Sequence, residues 1–203
     1  IHDFEREGVS LIRPTGGLTI AGSPGAAAVA AQHDSLREHG IDVELLVPSQ
    51  ARARFPFLAA VEFETALWCR REGVVDIHAL LGLYLARARG AGFALYTGCR
   101  AEELLVEHGR VQGVHTEAGD VRAEAVVDAS GCWAGRLGRK STALPLQPFR
   151  RHLFVSSPTD LVHPEAPLVW AEDAAFYFRP DSGGLLLSGC DETLASPGPQ
   201  SID

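Results

Sequence analysis

Three groups of residues in this 203-residue chain are of types that could do chemistry. Residues 123–138, AEAVVDASGCWAGRLG, couple an apolar segment to Ser130-Gly131 and then to Trp133–Leu137, which resumes with helical spacing. Val126 and Val127 between alanines read as a short strand buried on both faces. At such a junction a glycine lets the backbone pass close to a ligand, and the free N–H groups of a new helix favour an anion such as a pyrophosphate. The junction also reads as a tight turn that binds nothing. The second group is Arg150-Arg151. A guanidinium fork matches a carboxylate bidentately, and neighbours on a strand face opposite sides, so one arginine can enter a cavity while the other is solvated or paired. The competing reading makes both surface charges. The third group lies in FYFRPDSGG, where Tyr177 and Arg179 share one strand face and Phe176 and Phe178 the other. Tyr177 on a half-buried strand is also compatible with an ordinary core position, and Arg179 is expected to be solvated at the strand end before Pro180.

The composition narrows the classes open to these groups. Hydrophobic residues make up 46% and charged residues 22%, the balance of a globular chain long enough to bury a core. A net charge of −8 with no Lys/Arg cluster argues against nucleic acid as a partner. No apolar run approaches the roughly 18 residues that span a bilayer, and no signal-peptide pattern opens the chain. Cys69, Cys99, Cys132 and Cys190 are far apart, without CxxC or His at ligand spacing. They read as reduced thiols of a cytoplasmic protein, with no metal site expected. The oligomeric state is not legible.

The elements that must position these groups follow from periodicity. Val9–Arg13 and Leu18–Ala21 read as strands around a Pro14–Gly17 turn, and Ser23-Pro24 caps a surface helix that Gly40 ends. A short helix runs from Pro48 to Pro56, and Val61–Trp68 reads as a strand. Asp76 caps the best amphipathic helix, with Ile77, Leu80, Leu81, Tyr84, Leu85 and Ala88 on one face, basic residues in its last turn and Gly90 at its end. Phe93–Tyr96 reads as a strand, and three strands in a meander lead from Arg100 to Val127. A second strand-rich stretch includes Arg150–Ser156, Leu168–Trp170, Ala175–Arg179 and Leu185–Ser188. His152, on the face opposite Arg151, reads as a satisfied structural histidine with no catalytic role.

Five segments follow one another in the order found in the D-amino-acid oxidase-like flavoproteins: LIRPTGGLTIA, VVDIHALLGLYLARARGAG, AEAVVDASGCWAGRLG, PLQPFRRHLFV and FYFRPDSGGLLLSGCDET. That family includes glycine and sarcosine oxidases and bacterial D-amino-acid dehydrogenases, and the last two segments look most like the dehydrogenase branch. The resemblance covers nearly the whole chain. It implies an α/β (α+β) fold with a partial FAD-binding Rossmann-like domain carrying a β-meander, plus an antiparallel-sheet substrate domain. The expected division is 1–73 and 144–203 for the substrate domain and 74–143 for the FAD-binding part. It further implies oxidation of an amino acid or amine at its α-carbon, a D-amino acid in the dehydrogenase branch, by hydride transfer to the flavin. The flavin carries the redox chemistry, so no protein residue is named as catalytic. Arg150 is favoured over Arg151 as the carboxylate anchor, with Tyr177 at the substrate. Ser130, Gly131 and Trp133 would approach the FAD, and the Ala101 backbone would pair with its adenine.

One departure is evident. The family opens with a strand–GxGxxG–helix unit that holds the pyrophosphate, and this sequence contains no GxGxxG. The expectation is an internal piece of a longer flavoenzyme that by itself binds FAD feebly and is inactive. The alternative is a non-catalytic domain that kept the fold, lost the flavin and serves as a binding or assembly module. An NAD-dependent dehydrogenase is disfavoured by the absent fingerprint.

Overall fold

A computed structural model describes residues 8–134, 137 and 145–199. In chain order the strands are β1 (Ile12–Arg13), β2 (Gly17–Ala21), β3 (Glu44–Leu46), β4 (Thr65–Cys69), β5 (Val74–Val75), β6 (Ala101–Glu107), β7 (Arg110–Thr116), β8 (Gly119–Arg122), β9 (Phe149–Arg150), β10 (Phe154–Val155), β11 (Leu168–Ala171), β12 (Phe176–Asp181), β13 (Gly184–Ser188) and β14 (Thr193–Leu194). The helices are α1 (Ser23–Glu38), α2 (Pro48–Arg54) and α3 (Ile77–Gly90). Internal contacts gather the chain into two units, Ile1–Ala86 with Arg151–Asp191 and Arg87–Arg150 with Glu192–Asp203. These cuts fall at other residues than the 73/74 and 143/144 boundaries expected from the sequence.

The first unit is built on a seven-stranded sheet in the order β10-β13-β12-β11-β2-β4-β3. The sheet is mixed, which corrects the expected all-antiparallel substrate domain: β11 runs parallel to β2, with Val169 opposite Leu18, and the other ladders are antiparallel. Parallel pairing is open to these two strands because more than a hundred residues connect them, far beyond the dozen a crossover requires. Leu18, Ile20, Ala66, Trp68 and Val169 face α2, Phe55 and Leu58 on one side. Ala21 and Leu67 face Val29 of α1 and Val43 on the other. At Gly16, with φ of 80°, a Cβ would run into the six-membered ring of Trp68, so glycine supplies both the backbone conformation and the space.

Helix α1 shows how tertiary contact replaces a local cap. The expected N-cap is Ser23, but the capping position is Gly22, with no side-chain cap of its own. The Asp173 carboxylate, 151 positions away, accepts the Gly22 N–H at 2.5 Å instead. A Cβ at Gly25 would crowd the same carboxylate. A negative charge there also suits the positive end of the helix. At the far side of the sheet, β12 continues through Pro180 to Asp181, where a turn was expected. The reversal comes at Ser182-Gly183, with φ of 50° and 80°, a two-residue hairpin loop whose twist matches the strands. Arg179 is accordingly part-buried and ion-paired to Asp181 at 2.7 Å instead of solvated.

In the second unit the meander β6-β7-β8 forms, its third strand running over Gly119–Arg122 and not on to Val127 as expected, with Gly113 placed where a Cβ would strike the Val121 carbonyl. Other expectations fail here. Residues 123–130 form no ladder among the described residues, and Val127 is 88% exposed, which corrects the doubly buried strand at Val126-Val127. Phe93–Tyr96 is likewise not a strand, with Tyr96 74% exposed. A strand exists only where a neighbour completes its hydrogen bonds, and no described residue does so for either segment. Helix α3, which belongs to the first unit as far as Ala86, forms over the expected span and Asp76 caps it, accepting the Ala79 N–H at 2.8 Å, yet none of its residues is buried. The helix start at Trp133 is a single 3-10 turn, Gly131–Trp133, and residues 135–136 and 138–144 lie outside the described residues.

Candidate functional site

The four residues proposed for the cofactor come from two segments of the second unit, the start of β6 and the turn at Ser130–Trp133. A cavity of about 1060 Å³ is lined by Ala101, Ser130 and Trp133 together with Arg100, Glu102, Val114, Val126, Val127 and Asp128. Gly131, with φ of 59°, is the bend between Ser130 and Trp133. The segments converge because Leu104 of β6 donates its N–H to the Leu137 carbonyl at 3.2 Å and Ala123 donates to Gln112 at 3.0 Å.

Asp128 is the group that sequence reasoning missed. Its Oδ1 accepts the Ser130 hydroxyl at 2.5 Å and the Ser130 N–H at 3.0 Å. The hydroxyl, and then the N–H, hold the Asp128 carboxyl below the usual carboxylate range. Asp two residues before a Ser-Gly pair is the signature of a side chain closing its own turn, a signal that was available in DASG. The consequence is chemical. The Ser130 donors expected to greet a pyrophosphate are already held by an anion. The lining of carboxylate, hydroxyl, apolar surface and Trp133 suits sugar hydroxyls and a flat ring.

The substrate residues are distributed differently from the expected continuous strand. Arg150 ends β9, opposite Thr193 of β14, and is half-buried, while Arg151 is exposed and belongs to no strand. Residues 151–153 break the ladder before β10, so strand alternation across Arg150–Ser156 does not hold. Arg150 falls in the second unit, Arg151 and Tyr177 in the first. Tyr177 is half-buried on β12, opposite Trp170 and Ser188, and its ring stacks on Trp170 at 6.0 Å and 18°.

Beside Tyr177 lies an arrangement of four residues from distant parts of the sequence. Asp191 accepts the His152 backbone N–H at 2.9 Å through Oδ1, and its Oδ2 lies 2.8 Å from His152 Nδ1. The backbone N–H, and next the imidazole, push the Asp191 carboxyl below its ordinary range. Ser188, 1% exposed, donates its hydroxyl to the His152 carbonyl at 2.9 Å and accepts the Cys190 N–H at 3.1 Å. Thirty-nine positions separate His152 from Asp191, so no local spacing announces the pair.

The comparisons with known proteins agree with this architecture. The family model "FAD dependent oxidoreductase" (DAO) matches residues 1–203, and the chain belongs to that family. Monomeric sarcosine oxidase of Arthrobacter sp. is 29% identical over 154 residues, 74% of this chain and 39% of that protein. The crystal structure of glycine oxidase from Geobacillus kaustophilus superposes with a TM-score of 0.76 at 28% identity, covering 96% of this chain and 52% of that one. The mitochondrial pyruvate dehydrogenase phosphatase regulatory subunit of Mus musculus is 26% identical over 158 residues, 75% of this chain and 18% of that protein. The chain thus spans about half the length, or less, of the relatives it matches. FAD is the cofactor of the family. The cavity in the second unit fits part of it: room, an apolar and aromatic wall, and an ionised carboxylate suited to hydroxyl groups.

No described helix is long and apolar enough to cross a membrane, and no cluster of His, Cys, Asp and Glu among the described residues is placed to hold a metal ion.

Proposed function

We propose that this chain serves in an FAD-dependent oxidoreductase that oxidises an amino acid or amine at its α-carbon to the imine, which hydrolyses to the 2-oxo acid. The observation that carries this reading is the family match over residues 1–203. Supporting it, Ala101, Ser130 and Trp133, named from sequence as cofactor residues, line a single cavity. When bound, FAD supplies the two-electron acceptor. The protein has to hold the substrate and set its charge state.

Arg150 is the carboxylate anchor in this reading, its fork offering two parallel hydrogen bonds. Arg151 is the second cation of the pair and the more exposed. Tyr177 contributes a hydroxyl from a ring fixed by its stack on Trp170. Ser130, Gly131 and Trp133 with the Ala101 backbone hold the cofactor, and Asp128 adds an acceptor for its hydroxyl groups. Glycine oxidase and monomeric sarcosine oxidase act on amino acids without a bulky side chain, and that is the substrate class proposed here. A cytoplasmic location and a D-amino acid preference belong to the same proposal.

The test is kinetic. In that oxidoreductase, loaded with FAD, Arg150→Ala should lower kcat/KM for glycine, sarcosine or D-alanine by about 10²-fold or more, the loss of two charge-assisted hydrogen bonds, with flavin content unchanged. Arg151→Ala should be mild. Near-normal kinetics in both variants would place the anchor elsewhere. The second reading, a regulatory or assembly module without catalysis, draws on the likeness to the phosphatase regulatory subunit. Reduction of bound flavin by any amino acid decides against it.

A further inference from the structure

The His152–Asp191 pair is more than a satisfied strand histidine requires. Asp191 engages the same residue twice, at the backbone N–H and at Nδ1, so both the chain and the ring are held. The loop that delivers Asp191 passes through Cys190 with φ of 48°, a left-handed conformation that a non-glycine residue adopts only when its surroundings enforce it. The buried Ser188 hydroxyl ties that loop to the His152 carbonyl. With Nδ1 donating to a carboxylate, the tautomer is set and the lone pair lies on Nε2. Among the described residues Nε2 makes no hydrogen bond, and the imidazole is one-third exposed, stacked on Phe154. Ser188 stands opposite Tyr177 in the β12–β13 ladder, which places the pair beside Tyr177 within the same unit.

We propose that His152, held by Asp191, takes the proton from the substrate ammonium in the reaction proposed above. This rests on that reading. An amino acid carries its nitrogen as an ammonium at neutral pH, and an ammonium has no free pair to support loss of the Cα hydrogen as hydride. In the step, one N–H bond breaks, its electron pair stays on the substrate nitrogen, and the proton bonds to His152 Nε2. The product is a neutral amine and an imidazolium stabilised by the Asp191 carboxylate, and water takes the proton in the next turnover. His152 is the catalytic residue and Asp191 the positioning residue. Asp191 is the charged group in contact with the ring, and Arg151 and Glu192 flank the pair along the chain.

The experiment follows flavin reduction by glycine or sarcosine in the anaerobic, FAD-loaded oxidoreductase in which this chain is proposed to serve, across pH, for wild type, His152→Gln and Asp191→Asn. Wild type should reduce rapidly at neutral pH. His152→Gln should be slower by about 10²-fold there and recover towards wild type at alkaline pH, where the amine sheds its own proton. Asp191→Asn should fall between. Independently of turnover, ¹⁵N NMR of the wild-type chain should show His152 protonated on Nδ1 and not on Nε2, and Asp191→Asn should mix the tautomers. If flavin is reduced and His152→Gln matches wild type at neutral pH, or slows equally at every pH, the proposal is overturned while the oxidoreductase reading stands. An Nε2-protonated tautomer overturns it as well. If no amino acid reduces the flavin, the oxidoreductase reading falls and takes this one with it.

Discussion

Leu18, Leu58 and Val169 of the central sheet unit are 1%, 1% and 0% exposed, whereas Ile77, Tyr96 and Val127, along the stretch from α3 to the Ser130 turn, are 68%, 74% and 88% exposed. Both regions carry well-spaced apolar residues. The difference lies in partners. In the sheet unit, α1 covers one face and α2 with Phe55 and Leu58 the other, so each apolar position meets side chains already held by a ladder. From Ile77 to Trp133 none of the α3 residues is buried, and the segments around Tyr96 and Val127 form no ladder among the described residues. A side chain contributes about 1.5–3 kcal/mol only when water is removed from it. Periodicity says which face wants covering, and burial requires that something arrive there.

The contrast can be broken most severely in the sheet. Leu18→Ala should destabilise the chain by about 2–5 kcal/mol, because β4 and β11 on either side prevent the cavity from collapsing. Chemical denaturation followed by far-UV circular dichroism measures it, and a loss below 1 kcal/mol would contradict the packed core. Asp173→Ala should remove about 1 kcal/mol by stripping the Gly22 N–H of its acceptor, with Asp173→Asn restoring part of the loss. Full stability in Asp173→Ala would show that water replaces the carboxylate.

Leu81→Ala sharpens the comparison from the other side. The side chain is 56% exposed on α3, so the same denaturation measurement should shift by no more than about 0.5 kcal/mol. A loss resembling that of Leu18→Ala would mean that the α3 face is covered in solution. The smallest effect belongs to the meander. The Asp120 hydrogen bond, with Glu102 and Glu103 nearby, raises the His115 pKa above its ordinary 6.5. A raised folded-state pKa contributes stability that is fully present below 6.5 and lost as pH rises through the folded value. The Tm difference between wild type and His115→Gln should therefore be positive at pH 6 and shrink towards pH 9. A difference that grows with pH would reverse the sign.

Legibility followed the same division. Helix α1, the α3 span with its Asp76 cap and the three-strand meander could be read directly, because each is set by neighbours close in sequence, and β2 was legible from its apolar run after the Pro14–Gly17 turn although its partners β4 and β11 are remote. The expected strand across Arg150–Ser156 could not, since its break at 151–153 accompanies the pairing of His152 with Asp191, and that partner is remote. Val126-Val127 read as buried because its composition is that of a buried strand, and composition carries no information about whether a ladder is present. At the candidate site, Ala101, Ser130, Gly131 and Trp133 were named from motif order, and the cavity brings Ala101, Ser130 and Trp133 together. The carboxylates that set the chemistry, Asp128 and Asp191, were missed. Asp128 was within reach as an Asp closing its own turn.

By itself the sequence determined the local elements and the order of motifs that marks a DAO-family chain, because helix periodicity, turn residues and caps act through near neighbours. Only the tertiary structure decided that β11 would run parallel to β2, that Asp173 would cap α1, and that His152 would meet Asp191 with Ser188 behind it. Each of these joins residues between 36 and 151 positions apart, and a hydrogen bond over such a separation leaves no periodic trace. It forms once the core has paid the entropy of closing the chain.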